Sequence, residues 1–148
     1  MEDLLKQAVA LASENAAAGQ LPFGALVVRG GEVLGTGVNT ALRDNDPTAH
    51  AEVQAVREAC RRLGVLTLEG AIVVSSCEPC PLCQSAAVLA GVERIVYAAP
   101  KESAARYGMQ LGELGARMQR AWRELSLHAI EHMPTEGADE PFERFAAG

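Results

Sequence analysis

Apolar side chains fall at Leu4, Leu5, Ala8, Val9, Leu11 and Ala12, and the run ends before Gly19. That spacing keeps one face of a helix apolar and predicts a helix over 3–18. The period then changes. Ala25 to Val28 is apolar and β-branched, Arg29-Gly30-Gly31-Glu32 is turn chemistry, and Val33 to Val38 is extended again, so a hairpin is predicted. Asn39 to Thr48 is polar and contains Asp46-Pro47, a loop ending where a helix begins. From Ala49 to Leu63 the apolar positions Ala51, Val53, Val56, Ala59, Cys60 and Leu63 return to helical spacing, with Gly64 as the stop. Ala71 to Ser75 reads as a buried strand. Pro81 opens a helix running to about Ala90, closed by Gly91, and Arg94 to Ala98 is a further short strand.

Beyond Pro100 helix-friendly composition covers 101–124, and a short strand is expected at 126–130. An acid-rich loop from Pro134 to Pro141 follows, with Phe142 and Phe145 as an apolar anchor. The sequence carries no internal repeat and no signal for a second domain. A helix, a hairpin, then alternating helix and strand imply helices on both faces of a mixed sheet.

Composition narrows the class. The 148 residues suit one domain, 49% of them hydrophobic and 22% charged. Aromatics make up only 4%, so Ala, Val, Leu and Ile must build the core. A net charge of −6 argues against a surface made to grip phosphate backbones, and Arg61-Arg62 is the densest basic cluster. A small or neutral ligand is expected, not nucleic acid. No stretch reaches the roughly 18 to 20 apolar residues a bilayer demands. Met1-Glu2-Asp3 places acids where a signal peptide is basic, and a cytoplasmic location is expected. In a reducing compartment, clustered cysteines point to metal or catalysis before disulfides. Cys77, Cys80 and Cys83 crowd into seven residues.

Two clusters carry the chemistry, His50-Ala51-Glu52 and Pro79-Cys80-Pro81-Leu82-Cys83, each at a predicted helix start. Free N–H groups and partial positive charge there lower a thiol's pKa. Cys80 and Cys83 are three apart, so one helical turn aims both sulfurs at one point. Two thiolates and an imidazole balance Zn²⁺ and leave a fourth position for water, the pattern of catalytic zinc. Glu52, two residues from His50, is placed to move protons without ligating the metal. Taken alone, C-x-x-C also fits a redox pair or half a zinc finger. Cys77 completes C-x-x-C-x-x-C, which admits an iron–sulfur cluster or a fourth zinc ligand. Its place before Pro79 favours a buried, unligated thiol, and Cys60 falls on the apolar stripe of its helix. His128, among apolar neighbours, reads as structural, and His132 as solvated.

H-x-E followed by P-C-x-x-C is the zinc-deaminase signature, and the chain resembles the cytidine deaminase-like superfamily. Asn45-Asp46-Pro47-Thr48-Ala49-His50-Ala51-Glu52-Val53, with Ser76-Cys77-Glu78-Pro79-Cys80-Pro81-Leu82-Cys83, is most similar to its guanine deaminase branch. The similarity covers roughly residues 2–108. It implies a three-layer α/β/α sandwich with a mixed five-stranded sheet and one Zn²⁺ per chain, on His50, Cys80 and Cys83. It also implies Glu52 as catalytic proton shuttle and a homodimer. Phe23 is similar to the aromatic that covers the bound base, Asn39 to an asparagine bonding a ring carbonyl or nitrogen, and the backbone of Ala51 borders the ligand. Residues 1–148 form a single deaminase domain in this reading, with 132–148 a tail packing on the site or on a neighbouring subunit. Guanine deaminases carry acids in the segment corresponding to Arg106–Leu111, where this chain has none before Glu113.

The resemblance implies a hydrolase that releases ammonia from a small aminated base or nucleoside, guanine or a related aminopurine first. Cytosine, isocytosine and aminotriazines are the alternative substrates. Two further readings are a tRNA adenosine deaminase, whose enzymes share the run Asp46 to Glu52, and a non-catalytic zinc-stabilised binding module. The acidic charge opposes the former, and Glu52 beside the ligands opposes the latter.

Overall fold

Side chains alternate between the two faces of a strand, and strand β1 (Gly24–Arg29) uses that alternation to separate two helical layers. Ala25 and Val27 meet Ala51, Ala55 and Ala59 of helix α3 (Ala51–Leu63) on one face. Leu26 and Val28 meet Ala8 of helix α1 (Glu2–Ala17) on the other, with Leu4, Leu5 and Leu11 packed around them. The computed structural model describes residues 1–109, 111–124, 133–135 and 138–147. These fall into two units, Met1–Gly115 and Ala116–Gly148. Every candidate site residue lies in the first.

β1 pairs antiparallel with β2 (Glu32–Val38) through a turn in which Gly30 and Gly31 both take positive φ, 59° and 86°. On its other side it pairs antiparallel with β3 (Ile72–Cys77), and β3 pairs parallel with β4 (Arg94–Ala99). The order β2-β1-β3-β4 is a mixed sheet. Helix α4 (Pro81–Leu89) makes the crossover between the parallel strands, and Ala90 just past it joins the core layer of α3. The result is the α/β/α sandwich expected, with four strands among the described residues. The predicted fifth strand, 126–130, lies outside them, as do His128, His132 and the side chain of Trp122.

Two segments differ from the pattern-based expectation. The polar stretch after β2 contains a short helix, α2 (Ala41–Asp44), whose first amide donates to Asn39 Oδ1 at 3.1 Å. The helix expected over 101–124 is two helices, α5 (Lys101–Ala105) and α6 (Leu111–Glu124). Gly108 between them sits at φ 81°, a conformation that ends a helix and that composition alone does not reveal. In the second unit, helix α7 (Glu140–Ala147) carries Phe142 and Phe145, the expected anchor, and both are largely exposed.

The tightest contact is between α3 and β2. A methyl group on Gly35 would sit 2.6 Å from the Ala59 amide nitrogen, and one on Gly37 would collide with the Ala51 carbonyl and the Ala55 nitrogen. Between these glycines the amide and hydroxyl of Thr36 donate to Glu58 Oε2 at 2.7 and 3.1 Å. Gly37→Ala therefore has to push the start of α3 off the sheet. Overpacking typically costs about 1–3 kcal/mol, and here the obstacle is backbone. Urea unfolding should show at least that loss, together with reduced metal retention, since His50 and Glu52 move with the helix.

Candidate active site

Two helix N-termini meet at the ends of the central strands. His50 is the N-cap of α3 and Cys80 the N-cap of α4, both extended (φ −73°, ψ 154° and φ −73°, ψ 167°), and Pro81 occupies the first helical position. The loop before His50 is shaped by Asp46, whose Oδ1 accepts from the Thr48 amide at 2.8 Å and hydroxyl at 2.7 Å. Those bonds also hold the Asp46 carboxyl below its ordinary range. Thr40 N donates to the Ala49 carbonyl at 3.0 Å, which ties this loop to the end of β2.

The four chemical groups converge. His50 Nδ1 lies 3.4 Å from Cys80 Sγ and 3.5 Å from Cys83 Sγ, and the two sulfurs are 3.6 Å apart. Zinc bonds of about 2.3 Å to sulfur and about 2.0 Å to nitrogen give tetrahedral edges of about 3.8 and 3.5 Å. The triangle therefore fits one zinc ion held by His50, Cys80 and Cys83. Its electrostatics suit a cation too. The Cys80 thiol is pulled down to about 4, first by its contact with Cys83 and then by that with His50. The same contact, with burial and the charge of Glu52, pushes Cys83 upward. His50 is raised by its bond to Cys80.

Glu52, in the first turn of α3, is buried. Its Oε1 accepts from Ser75 Oγ at 2.9 Å, and its Oε2 lies 3.1 Å from Cys83 Sγ. Cys77 is outside the triangle. It ends β3, is buried, and faces a second, more apolar cavity of about 410 Å³. Burial pushes its thiol up. Cys60 is half-buried against the core, as its helical position predicts.

A cavity of about 150 Å³ opens beside the triangle, with His50, Glu52, Cys80 and Cys83 in its wall. Phe23 and Asn39 line it. The side chain of Ala51 is fully buried in the α3 core layer, which leaves its backbone as the part that the resemblance puts at a ligand. Among the described residues of the 106–111 segment Met109 reaches this wall, and with Phe23 it also borders the second cavity.

Sequence reasoning missed four residues. Ser75 carried no signal beyond lying in a strand. Asn15, buried near the end of α1, donates from Nδ2 to the carbonyls of Leu21 (2.7 Å) and Asn39 (2.8 Å), clamping the chain on either side of Phe23. An asparagine inside a helix is poorly placed by propensity, and that was the available signal. Glu78 and Lys101 also line the cavity. Lys101 Nζ and backbone N donate to the Glu78 carboxylate at 3.1 and 3.2 Å.

With this geometry in place, residues 1–99 match the cytidine and deoxycytidylate deaminase zinc-binding region. The chain belongs to that family. It is a hydrolytic deaminase. Guanine deaminase of Bacillus subtilis is 46% identical over 108 residues, 72% of this chain and 69% of that protein. Its crystal structure superposes with a TM-score of 0.77 at 35% identity, covering 99% of this chain and 94% of that one. A tRNA-specific adenosine deaminase of Aquifex aeolicus is 40% identical over 98 residues, 66% of this chain and 65% of that protein. The protein NE0047, solved with 2,6-diaminopurine, matches at a TM-score of 0.68 and 28% identity, over 72% of this chain and 60% of that one. No described helix is long and apolar enough to cross a membrane.

The zinc assignment has a direct check. Purified protein should contain about one zinc per chain by elemental analysis, because the three ligands complete a mononuclear site. Cys80→Ala and Cys83→Ala should each lose it, whereas Cys77→Ala should retain it.

Proposed function

We propose that this protein deaminates a small aminated heterocyclic base, guanine or a related aminopurine first, with Glu52 as the proton shuttle. The observation that carries the reading is the meeting of the His50, Cys80 and Cys83 triangle with a buried carboxylate at the wall of one cavity. Zinc, when bound, supplies a Lewis acid that brings water within reach of ionisation near neutral pH. The rest is done by side chains. Glu52 accepts a proton from the attacking water, passes it to the ring nitrogen, and serves the departing amino group in turn, so that C–NH₂ becomes C=O and ammonia leaves. Phe23 packs on the face of the ring. The Oδ1 of Asn39 is engaged by the Ala41 amide, so the Asn39 NH₂ is the group offered to a ring acceptor. In this reading residues 1–148 act as one deaminase domain whose catalytic groups all fall within Met1–Gly115.

The relatives support both a free purine base and a tRNA adenosine as substrate. The net charge of −6 favours the free base. Within that class the edge of the cavity is decisive. Among the described residues Met109 is the contribution of the 106–111 segment, an apolar side chain where the guanine deaminases carry acids. Besides Glu52, the acid on this wall among the described residues is Glu78, already bonded twice to Lys101.

Two measurements test the reading. Glu52→Gln should keep its zinc and lose about 10²- to 10⁴-fold in turnover, the usual worth of a general acid/base; near-parent turnover with metal in place overturns the shuttle. Guanine, isocytosine, cytosine, an aminotriazine and a tRNA anticodon stem should then be compared by kcat/KM. An unpaired donor costs about 1–3 kcal/mol, enough to remove about one or two orders of magnitude of preference, so guanine should be a modest substrate or be accompanied by the other aminated rings. A lead beyond about a thousandfold would mean that another acid reads the purine edge. Tighter processing of the tRNA stem would move the protein to the adenosine-editing class.

A further inference from the structure

We propose that Ser75 is a positioning residue for the reaction, tethering one oxygen of Glu52 so that the other is the one that moves protons. The inference rests on Glu52 being the shuttle. Ser75 lies on β3, which is flanked by β1 and β4, and its side chain is 1% exposed. A hydroxyl has one proton to give. The Cys77 amide donates to Ser75 Oγ at 3.4 Å, so the hydroxyl's own proton goes to Glu52 Oε1, 2.9 Å away. The second contact of the carboxylate is of another kind. Oε2 faces Cys83 Sγ at 3.1 Å, and a sulfur serving as a thiolate ligand has no proton to donate. Among the described residues, the Ser75 hydroxyl is thus the contact to Glu52 that persists when Cys83 binds metal.

The consequence is a division of labour between two chemically equal oxygens. Oε1 is held from the sheet, on an element that cannot shift without breaking ladder bonds on both sides. Oε2 is left on the side of the sulfurs and the cavity. Without the tether, rotation about the last side-chain bond exchanges the oxygens and lets the carboxylate turn from the cavity. Such supporting contacts around a metal centre typically contribute about 10- to 100-fold in activity.

The test is a double-mutant cycle with metal content as a parallel readout. Ser75→Ala should lower kcat about 10- to 100-fold, leave KM within about threefold, and keep zinc content and Tm near the parent's. Ser75→Cys, of similar shape but a weaker donor, should fall between the two; equal losses in Ala and Cys variants with a lowered Tm would show packing instead. In a Glu52→Gln background, Ser75→Ala should cost nothing further, because the group it positions is already disabled. Fully multiplicative losses, or an unchanged kcat in Ser75→Ala, overturn the proposal while leaving the shuttle standing. Near-parent turnover in Glu52→Gln alone overturns the shuttle instead, so the two failures are distinct.

Discussion

The geometry of this protein depends on how closely α3 can approach the sheet. Gly35 and Gly37 on β2 face Ala51, Ala55 and Ala59 on α3, so backbone meets backbone with no side chain between. Interiors are packed too densely for such a contact to drift. The separation fixes the height at which α3 begins, and with it His50 and Glu52. Thr36, lodged between the glycines and bonded to Glu58, sets the register along the helix. A helix standing off on larger side chains would carry His50 out of reach of the sulfurs.

The second half of the site is brought in by chain topology. A parallel connection from β3 to β4 needs a crossover, and α4 supplies it by starting directly after β3 ends. Its first residues therefore lie at the carboxyl end of the strands, the end where open α/β sheets place their ligands. Cys80 at the N-cap and Cys83 one turn on then face His50 across the strand ends. Two positive helix ends oppose each other there, which favours anionic sulfur and a carboxylate in the space between. The contacts with Cys83 and His50 that lower the Cys80 thiol, and the burial of Glu52, are made within this arrangement.

What the sequence made legible follows the reach of local rules. The spacing of Cys80 and Cys83, the proline at the first helical position, and the H-x-E at a helix start are short-range features, and each took its expected place. The apolar rhythms of α1, α3 and α4 gave helices within one or two residues of those found. The gap between α5 and α6 was invisible because it depends on one glycine adopting positive φ in a stretch whose composition suits a helix throughout. Ser75 was missed for the opposite reason: it meets Glu52 across 23 positions of chain, and nothing local marks a strand serine as a partner. Asn15 and the Glu78–Lys101 pair are long-range in the same way. Ala51 was expected at the ligand through its backbone, and its side chain packs in the core layer of α3.

These differences separate two kinds of wall around one cavity. The reactive corner is built from helix starts and a central strand, locked by backbone contact and by Ser75. The rest of the cavity wall, the side proposed to take substrate, is assembled from irregular chain: Phe23 before β1, Asn39 after β2, Glu78 in a turn, Met109 after a helix. Asn15 holds Asn39, and Leu21 two residues before Phe23, through their backbone carbonyls, so the side chains of Phe23 and Asn39 can change without loss of the clamp. Met109 and the Glu78–Lys101 pair stand on short segments that bear little of the core. Precision of chemistry needs rigid elements, whereas choice of substrate tolerates change on loops that a rigid scaffold supports. Substitutions that alter which ring is accepted should thus be found on this irregular side, because the corner proposed to move protons shares its packing with the core and has no freedom to give.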